Sequence, residues 1–281
     1  MKKVTLLSLV LVSLLILSLL GCSGCNNNTT PPQNNQKPVY TLQYAFTSPD
    51  NSSSMVIAQY IKEQIEQKTD GKIKIEIYPN AQLGNSIELI EGVQTGKIAM
   101  TVQTTFAHAE IIPEAAVFYL PSVLQDMNVS EKALSGKFRD TIAEYYEKAG
   151  FKILTMNPAG YYDMSSKKPI KKLEDFAGVT IRTFDNPYIM TFWKSLGAKP
   201  TPMTLSQVDS ALQQGVVSAV DSANFYLIAL DLHKHQKYLI NTHHISYVES
   251  ILINKSIYDE LPEEYKVILE EVMKKAEALC I

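Results

Sequence analysis

Chemistry needs side chains of particular types at particular spacings, and arginine usage is the first such signal in this 281-residue chain. It has two arginines, Arg139 and Arg182, against 24 lysines. A sequence that uses lysine wherever a positive charge suffices keeps arginine for what lysine cannot do, above all bidentate pairing with a carboxylate. Arg139 falls inside a helical pattern, Lys137-Phe-Arg-Asp140, where a surface role is expected. Arg182 falls in the strand pattern Val179-Thr-Ile-Arg-Thr-Phe184, just before an Asp185-Asn186-Pro187 helix start. From periodicity alone, holding an anion and pairing with a neighbouring acid are equally good accounts of Arg182.

Other chemistry is poorly represented. There is no Gly-x-Ser-x-Gly elbow, no phosphate loop and no Gly-x-Gly-x-x-Gly. His108 has an acid close by in sequence, Glu110 two residues on. His233, His235, His243 and His244 lie in polar segments without a matched thiolate or carboxylate, so they read as surface residues and no metal site is expected. Acid pairs such as Glu174-Asp175, Glu263-Glu264 and Glu270-Glu271 fall at helix starts or on solvated faces, away from general acid/base duty. The reading is therefore of a protein that is not an enzyme and carries no cofactor. Cys22, Cys25 and Cys280 are too few and too badly placed for a disulfide framework or a zinc site.

Composition sets the background. With 46% hydrophobic and 20% charged residues, the chain is an ordinary folded protein. At its N-terminus Lys2-Lys3 precedes an apolar run from Val4 to Leu20, then Gly21-Cys22. That order is a signal peptide over residues 1–21, and Leu19-Leu20-Gly21-Cys22 resembles the bacterial lipobox, which implies cleavage before Cys22 and acylation of its thiol. An uncleaved anchor is the alternative, at the short limit for a membrane span. Either way the remainder lies outside the cytoplasm, at the cell membrane. Removing residues 1–21 takes Lys2 and Lys3 and no acid, so the formal charge moves from −3 to −5. A mildly acidic chain is a poor nucleic-acid ligand. Residues 22–38, with Asn, Gln, Thr and Pro and no large apolar side chain, read as a flexible tether.

From Tyr40 onward, period-2 and period-3.6 patterns alternate, which predicts an α/β fold. Strands are expected at 39–46, 73–78, 98–103, 151–156, 179–184, 216–220 and 246–254. Helices are expected at 52–68, from Ser86 as cap to Thr95, as one long element over 130–148, from Asn186-Pro187 to before Gly197, and over 206–214 and 262–279. Val117 to Pro121 reads as an apolar connector. Some 240 residues exceed one comfortable core, so two lobes are expected.

Several blocks carry a family resemblance. Gly71-Lys-Ile-Lys-Ile-Glu-Ile-Tyr-Pro-Asn-Ala-Gln-Leu-Gly84, Pro113-Glu-Ala-Ala-Val-Phe-Tyr-Leu-Pro121, Val179 to Pro187, Leu196-Gly-Ala-Lys-Pro-Thr-Pro-Met203, Ala211-Leu-Gln-Gln-Gly-Val-Val217 and Leu252 to Glu264 occur in one order. Together they resemble the DctP-type solute-binding proteins of tripartite ATP-independent periplasmic (TRAP) transporters. The resemblance implies a two-lobed periplasmic-binding-protein-like α/β fold, with lobe I over 39–160 and 248–281, lobe II over 161–247, and a ligand cleft between them. It implies a monomer that closes on a small carboxylate and delivers it to TRAP membrane permease subunits driven by an ion gradient. A binding protein of another transporter class, or of a receptor-coupled sensor, is the alternative.

The resemblance also nominates a site. Arg182 matches the family's carboxylate-binding arginine. Thr47, Ser86, Gln103 and Thr104 match pocket positions in the first lobe, and Asp185 and Leu205 do so in the second; Ser86 serves equally as a helix cap. Tyr162 stands where many members have a second arginine, and Asp221 and Ser222 stand at their Glu and Asn. Losing a cation while keeping Asp185 and Asp221 argues for a monocarboxylate bearing hydroxyl or amino groups. Family members continue further along the last helix, so Ala278-Leu-Cys-Ile281 reads as an early stop.

Overall fold

The computed structural model describes residues 40–124 and 126–279. The expected signal peptide and tether, with Cys22 and Cys25, and Cys280 lie outside the described residues. The first half of the fold opens with β1 (Tyr40–Ala45), α1 (Ser53–Lys68), β2 (Ile73–Tyr78), α2 (Ser86–Gln94), β3 (Met100–Thr104) and α3 (Thr105–Ala109). After a tight helical turn over Pro113–Tyr119 come α4 (Met127–Leu134), α5 (Lys137–Lys148) and β4 (Phe151–Ser166). The rest is β5 (Thr180–Thr183), α6 (Pro187–Ser195), β6 (Lys199–Pro202), α7 (Val208–Gln213), β7 (Ala219–Ala223), α8 (Asn224–Ala229), β8 (Tyr238–Asn254), α9 (Lys255–Glu260) and α10 (Glu263–Ala278).

The strands form one sheet in the order β2-β1-β3-β8-β4-β7-β5-β6. Parallel pairs lie at both ends, β1 with β2 and β3, and β5 with β6 and β7. Between them β4 and β8, 16 and 17 residues long, run antiparallel along most of their length and join the two halves. Local sequence explains the rims. Ser52 caps α1 by accepting from Met55 N, and Ile73 and Ile75 point inward while Lys74 points out.

Four expectations change. The strand ending at Met156 and the one starting at Ser246 are each much longer, because register shifts between Pro158 and Tyr161 and between Tyr162 and Met164 absorb Pro158 and Gly160 without ending the ladder. Gly160 sits there at φ +126°, with open space where a side chain would be. The predicted helix over 130–148 is two helices, broken at Ser135-Gly136, where Gly136 takes the first position before α5. The cap of α2 is Asn85 rather than Ser86: its side chain accepts from Ile87 N and Glu88 N, and Glu88 returns to Asn85 N at 2.8 Å. Arg139 is not a free surface residue. Its Nη1 lies 3.3 Å from Glu277 Oε1, which also accepts from Met156 N at 3.0 Å, tying α5 and α10 to β4.

One buried cluster includes Phe118, Phe151, Met156, Ile181, Trp193 and Val248, drawing on both halves of the sheet. A second joins α1 and α10 to β1, β2 and the outer part of β8. A small third one gathers Val208, Leu212, Val217, Val220 and Leu232.

Candidate functional site

The site grows from β5 and β7, whose parallel pairing sets Arg182 beside Val220. Arg182 is 4% exposed. Its Nε and Nη2 donate to Met203 O at 3.1 and 2.9 Å, and Nη1 donates to Asp221 O at 2.8 Å. A guanidinium has five N–H groups, so one on each terminal nitrogen is left over. No acidic side chain lies within ion-pair distance of it among the described residues. Burial lowers its pKa, against the opposing pull of Asp221, Tyr162 and Tyr226, but an arginine remains cationic through any such shift. The result is a fixed, dry cation held by neutral carbonyls.

Behind it lies a buried polar network. Asp221 Oδ2 accepts from Thr183 Oγ1 at 2.7 Å and Trp193 Nε1 at 2.9 Å, and Oδ1 is 3.2 Å from His244 Nε2. Thr242 Oγ1 lies 2.8 Å from His244 Nδ1, and the His244 ring stacks on Phe192 at 5.4 Å. Burial raises the Asp221 pKa, but His244, Trp193 and Thr183 outweigh it and hold the carboxyl below its ordinary value. Thus Asp221 turns its carboxylate into the core and its carbonyl to Arg182. His244 is buried as well, contrary to the surface placement expected for it.

Aromatic rings lie near Arg182, with Tyr162 and Tyr226 within electrostatic reach of it. Tyr162 packs on Phe184 at 5.4 Å and on Tyr247 at 5.5 Å, and Phe225 meets Tyr226 at 4.2 Å and Tyr247 at 5.3 Å. Burial raises the pKa of Tyr162, Tyr226 and Tyr247, keeping all three hydroxyls protonated. Helix α8, which carries Phe225 and Tyr226, is pinned to β4: Asn224 Nδ2 donates to Asp163 Oδ2 at 2.7 Å, and Asp163 Oδ1 accepts from His243 N at 2.7 Å.

A cavity of about 710 Å³ opens between the end of β1, the start of α1, the crossing strands and α8. Thr47, Asn157, Phe225, Tyr226, Tyr247 and Glu249 are among its lining residues. Arg182 itself is not on this wall; Tyr226, which is, lies within electrostatic reach of both Arg182 and Glu249.

The nominated residues divide accordingly. Arg182 and Tyr162 come together, Thr47 lines the cavity, and Thr104 lies directly across the sheet from Glu249. Gln103 is buried and donates to Thr101 Oγ1 at 3.3 Å, and Ser222 is buried opposite Asp163. Ser86 is the first residue of α2, Asp185 is exposed, and Leu205 packs on the small third cluster; none of these lines the cavity. Sequence reasoning missed Tyr226, Asp163 and Glu249. An acid within the apolar run Tyr247-Val-Glu-Ser-Ile-Leu-Ile253 was the available signal for Glu249.

The sequence profile of the bacterial extracellular solute-binding proteins of family 7, the DctP type, matches residues 44–280. The chain belongs to this family. Among relatives, the ectoine/5-hydroxyectoine-binding periplasmic protein UehA of Ruegeria pomeroyi is 29% identical over 82% of this chain and 68% of its own length. A TRAP periplasmic solute-binding protein from Haemophilus influenzae, solved with bound L-gulonate, is 27% identical with a TM-score of 0.77, covering 86% of this chain and 81% of that one. Another from Ochrobactrum anthropi reaches a TM-score of 0.82 at 24% identity, covering 87% and 76%, and speaks to the fold. The DctP-type fold is two-lobed, its members are extracytoplasmic binding proteins of transporters, and this one is a binding protein rather than an enzyme. No helix among the described residues is long and apolar enough to cross a membrane.

Proposed function

We propose that the protein captures a small organic acid, closes its two lobes on it, and passes it to the membrane permease of a TRAP transporter driven by an ion gradient. The carboxylate anchor is Arg182. The observation that carries this reading is a buried guanidinium held by Met203 O and Asp221 O, with two N–H groups to spare and no acid within ion-pair distance among the described residues. Burying a charge without a counter-ion is costly, so such a group is reserved for one that arrives. A relative solved with bound L-gulonate and one named for binding ectoine each take a small carboxylate, which agrees.

Tyr162 and the spare N–H groups form the first contact set, with Thr47, Gln103, Thr104 and Ser222 around it. Asp221 serves by fixing Arg182. The lobe boundaries at 160/161 and 247/248 fall inside β4 and β8, where the register shifts of the ladder supply a hinge. A lipid on Cys22 holds the protein at the outer face of the membrane, and the folded part acts as a monomer. A thermal-shift screen of sugar acids, hydroxy acids, keto acids and amino acids tests the reading: a ligand of the folded state raises the melting temperature by mass action. A screen in which no acid does so, at concentrations up to the millimolar range, contradicts it.

A further inference from the structure

Among the described residues, the lining of the cavity carries one formal charge, and it is negative. Glu249 is the only carboxylate among them, and no lysine, arginine or histidine lines the cavity with it. The side chain is half-buried and its Oε1 accepts from Tyr247 Oη at 3.0 Å; no cation pairs with it among the described residues. Its position is fixed from both sides, since β8 places Glu249 opposite Thr104 on β3 and Asn157 on β4. Tyr247, Tyr226 and Phe225 stand on the same wall.

A ligand that offered only a carboxylate would meet Arg182 at one end and leave Glu249 uncompensated in a closing, water-poor cleft. A hydroxyl would satisfy one of its lone pairs but not its charge. An ammonium or other organic cation would neutralise it, and aromatic faces beside the carboxylate favour a cation further. Burial raises the Glu249 pKa, opposed by the hydrogen bond from Tyr247; a bound cation would offset that burial.

We propose that the ligand is a small zwitterion, its carboxylate held by Arg182 and its cationic group held by Glu249 among Phe225, Tyr226 and Tyr247. This rests on the organic-acid reading above and narrows it. The site then selects by charge pattern: cations alone meet Arg182, simple acids meet Glu249, and a molecule carrying both charges satisfies the two.

The test is calorimetry at neutral pH on the purified full chain with matched pairs that differ in the amino group: leucine and isocaproate, phenylalanine and hydrocinnamate, proline and cyclopentanecarboxylate, with D-galacturonate and L-gulonate as sugar acids. The proposal expects at least one amino acid to bind tenfold or more tightly than its partner and than either sugar acid, and expects E249Q to abolish that preference. Equal or tighter binding of the desamino or sugar acids overturns it while leaving the organic-acid reading intact. So does an amino preference that survives in E249Q. Because the wild-type pairs are informative alone, a poorly folding variant does not shield the proposal. If none of these acids binds, the proposal falls, and failure of the wider acid screen is what brings down the organic-acid reading.

Discussion

Arg182 Nη1 donates to the backbone carbonyl of Asp221 at 2.8 Å, while the carboxylate of that same aspartate faces the opposite way, onto Thr183, Trp193 and His244. One residue therefore couples the cation of the site to the core behind it. The carbonyl cannot shift without straining three side-chain contacts on β5, α6 and β8.

Asp221→Asn should lower stability at neutral pH by about 1–3 kcal/mol, since one buried partner of the network loses its acceptor. The folded-state pKa of Asp221 lies below the ordinary 3.8, so its contribution is present above that value and is lost as pH falls through the lower folded value. Urea unfolding from pH 7 to pH 3 checks both. The variant should be weaker at pH 7 and lose less on acidification; an unchanged midpoint at pH 7 contradicts the assignment.

His108 gives a second pH dependence. It is fully buried, Nδ1 lies 2.8 Å from Tyr146 Oη, and burial depresses its pKa from 6.5 to about 3. The folded state holds it neutral, so stability is retained above pH 6.5 and falls between 6.5 and about 3 as the unfolded chain takes up the proton. The slope from this one group approaches about 1.4 kcal/mol per pH unit. His108→Gln should flatten the fall between pH 6 and pH 4, and an identical slope in the variant counts against it.

Glu277 joins three elements through Arg139 and Met156 N, with both charged side chains about a quarter exposed. Partial exposure limits the ion pair, and the backbone contact adds to it, so Glu277→Ala should cost about 1–2 kcal/mol. Guanidinium unfolding measures this. A loss within about 0.5 kcal/mol, the range usual for surface substitutions, would show that α10 is held by its apolar face alone.

Much of this was legible in the sequence, and the failures have a pattern. Parallel strands at the rims and helices with Ser52 or Asn186 caps follow from local periodicity and capping chemistry. The crossing strands were legible only in part, as 151–156 and 246–254, because Pro158 and Gly160 signal a turn until the register shifts that accommodate them are seen. In the site, Arg182 stood out through its rarity. Asp221 is nominated as a ligand contact by its place at the family's Glu position, yet its carboxylate is consumed by Trp193 and His244, partners 28 and 23 residues away. Glu249 and Tyr226 act through three-dimensional proximity that no spacing encodes.

The most direct measurement is isothermal calorimetry of the wild-type protein and Arg182→Lys with an acid that stabilises the wild type. Lysine keeps the charge but cannot reproduce the fork that holds Met203 O, Asp221 O and a carboxylate together. The account predicts a loss of about 2–5 kcal/mol in binding free energy with the variant still folded. Equal affinity in the two proteins would contradict it.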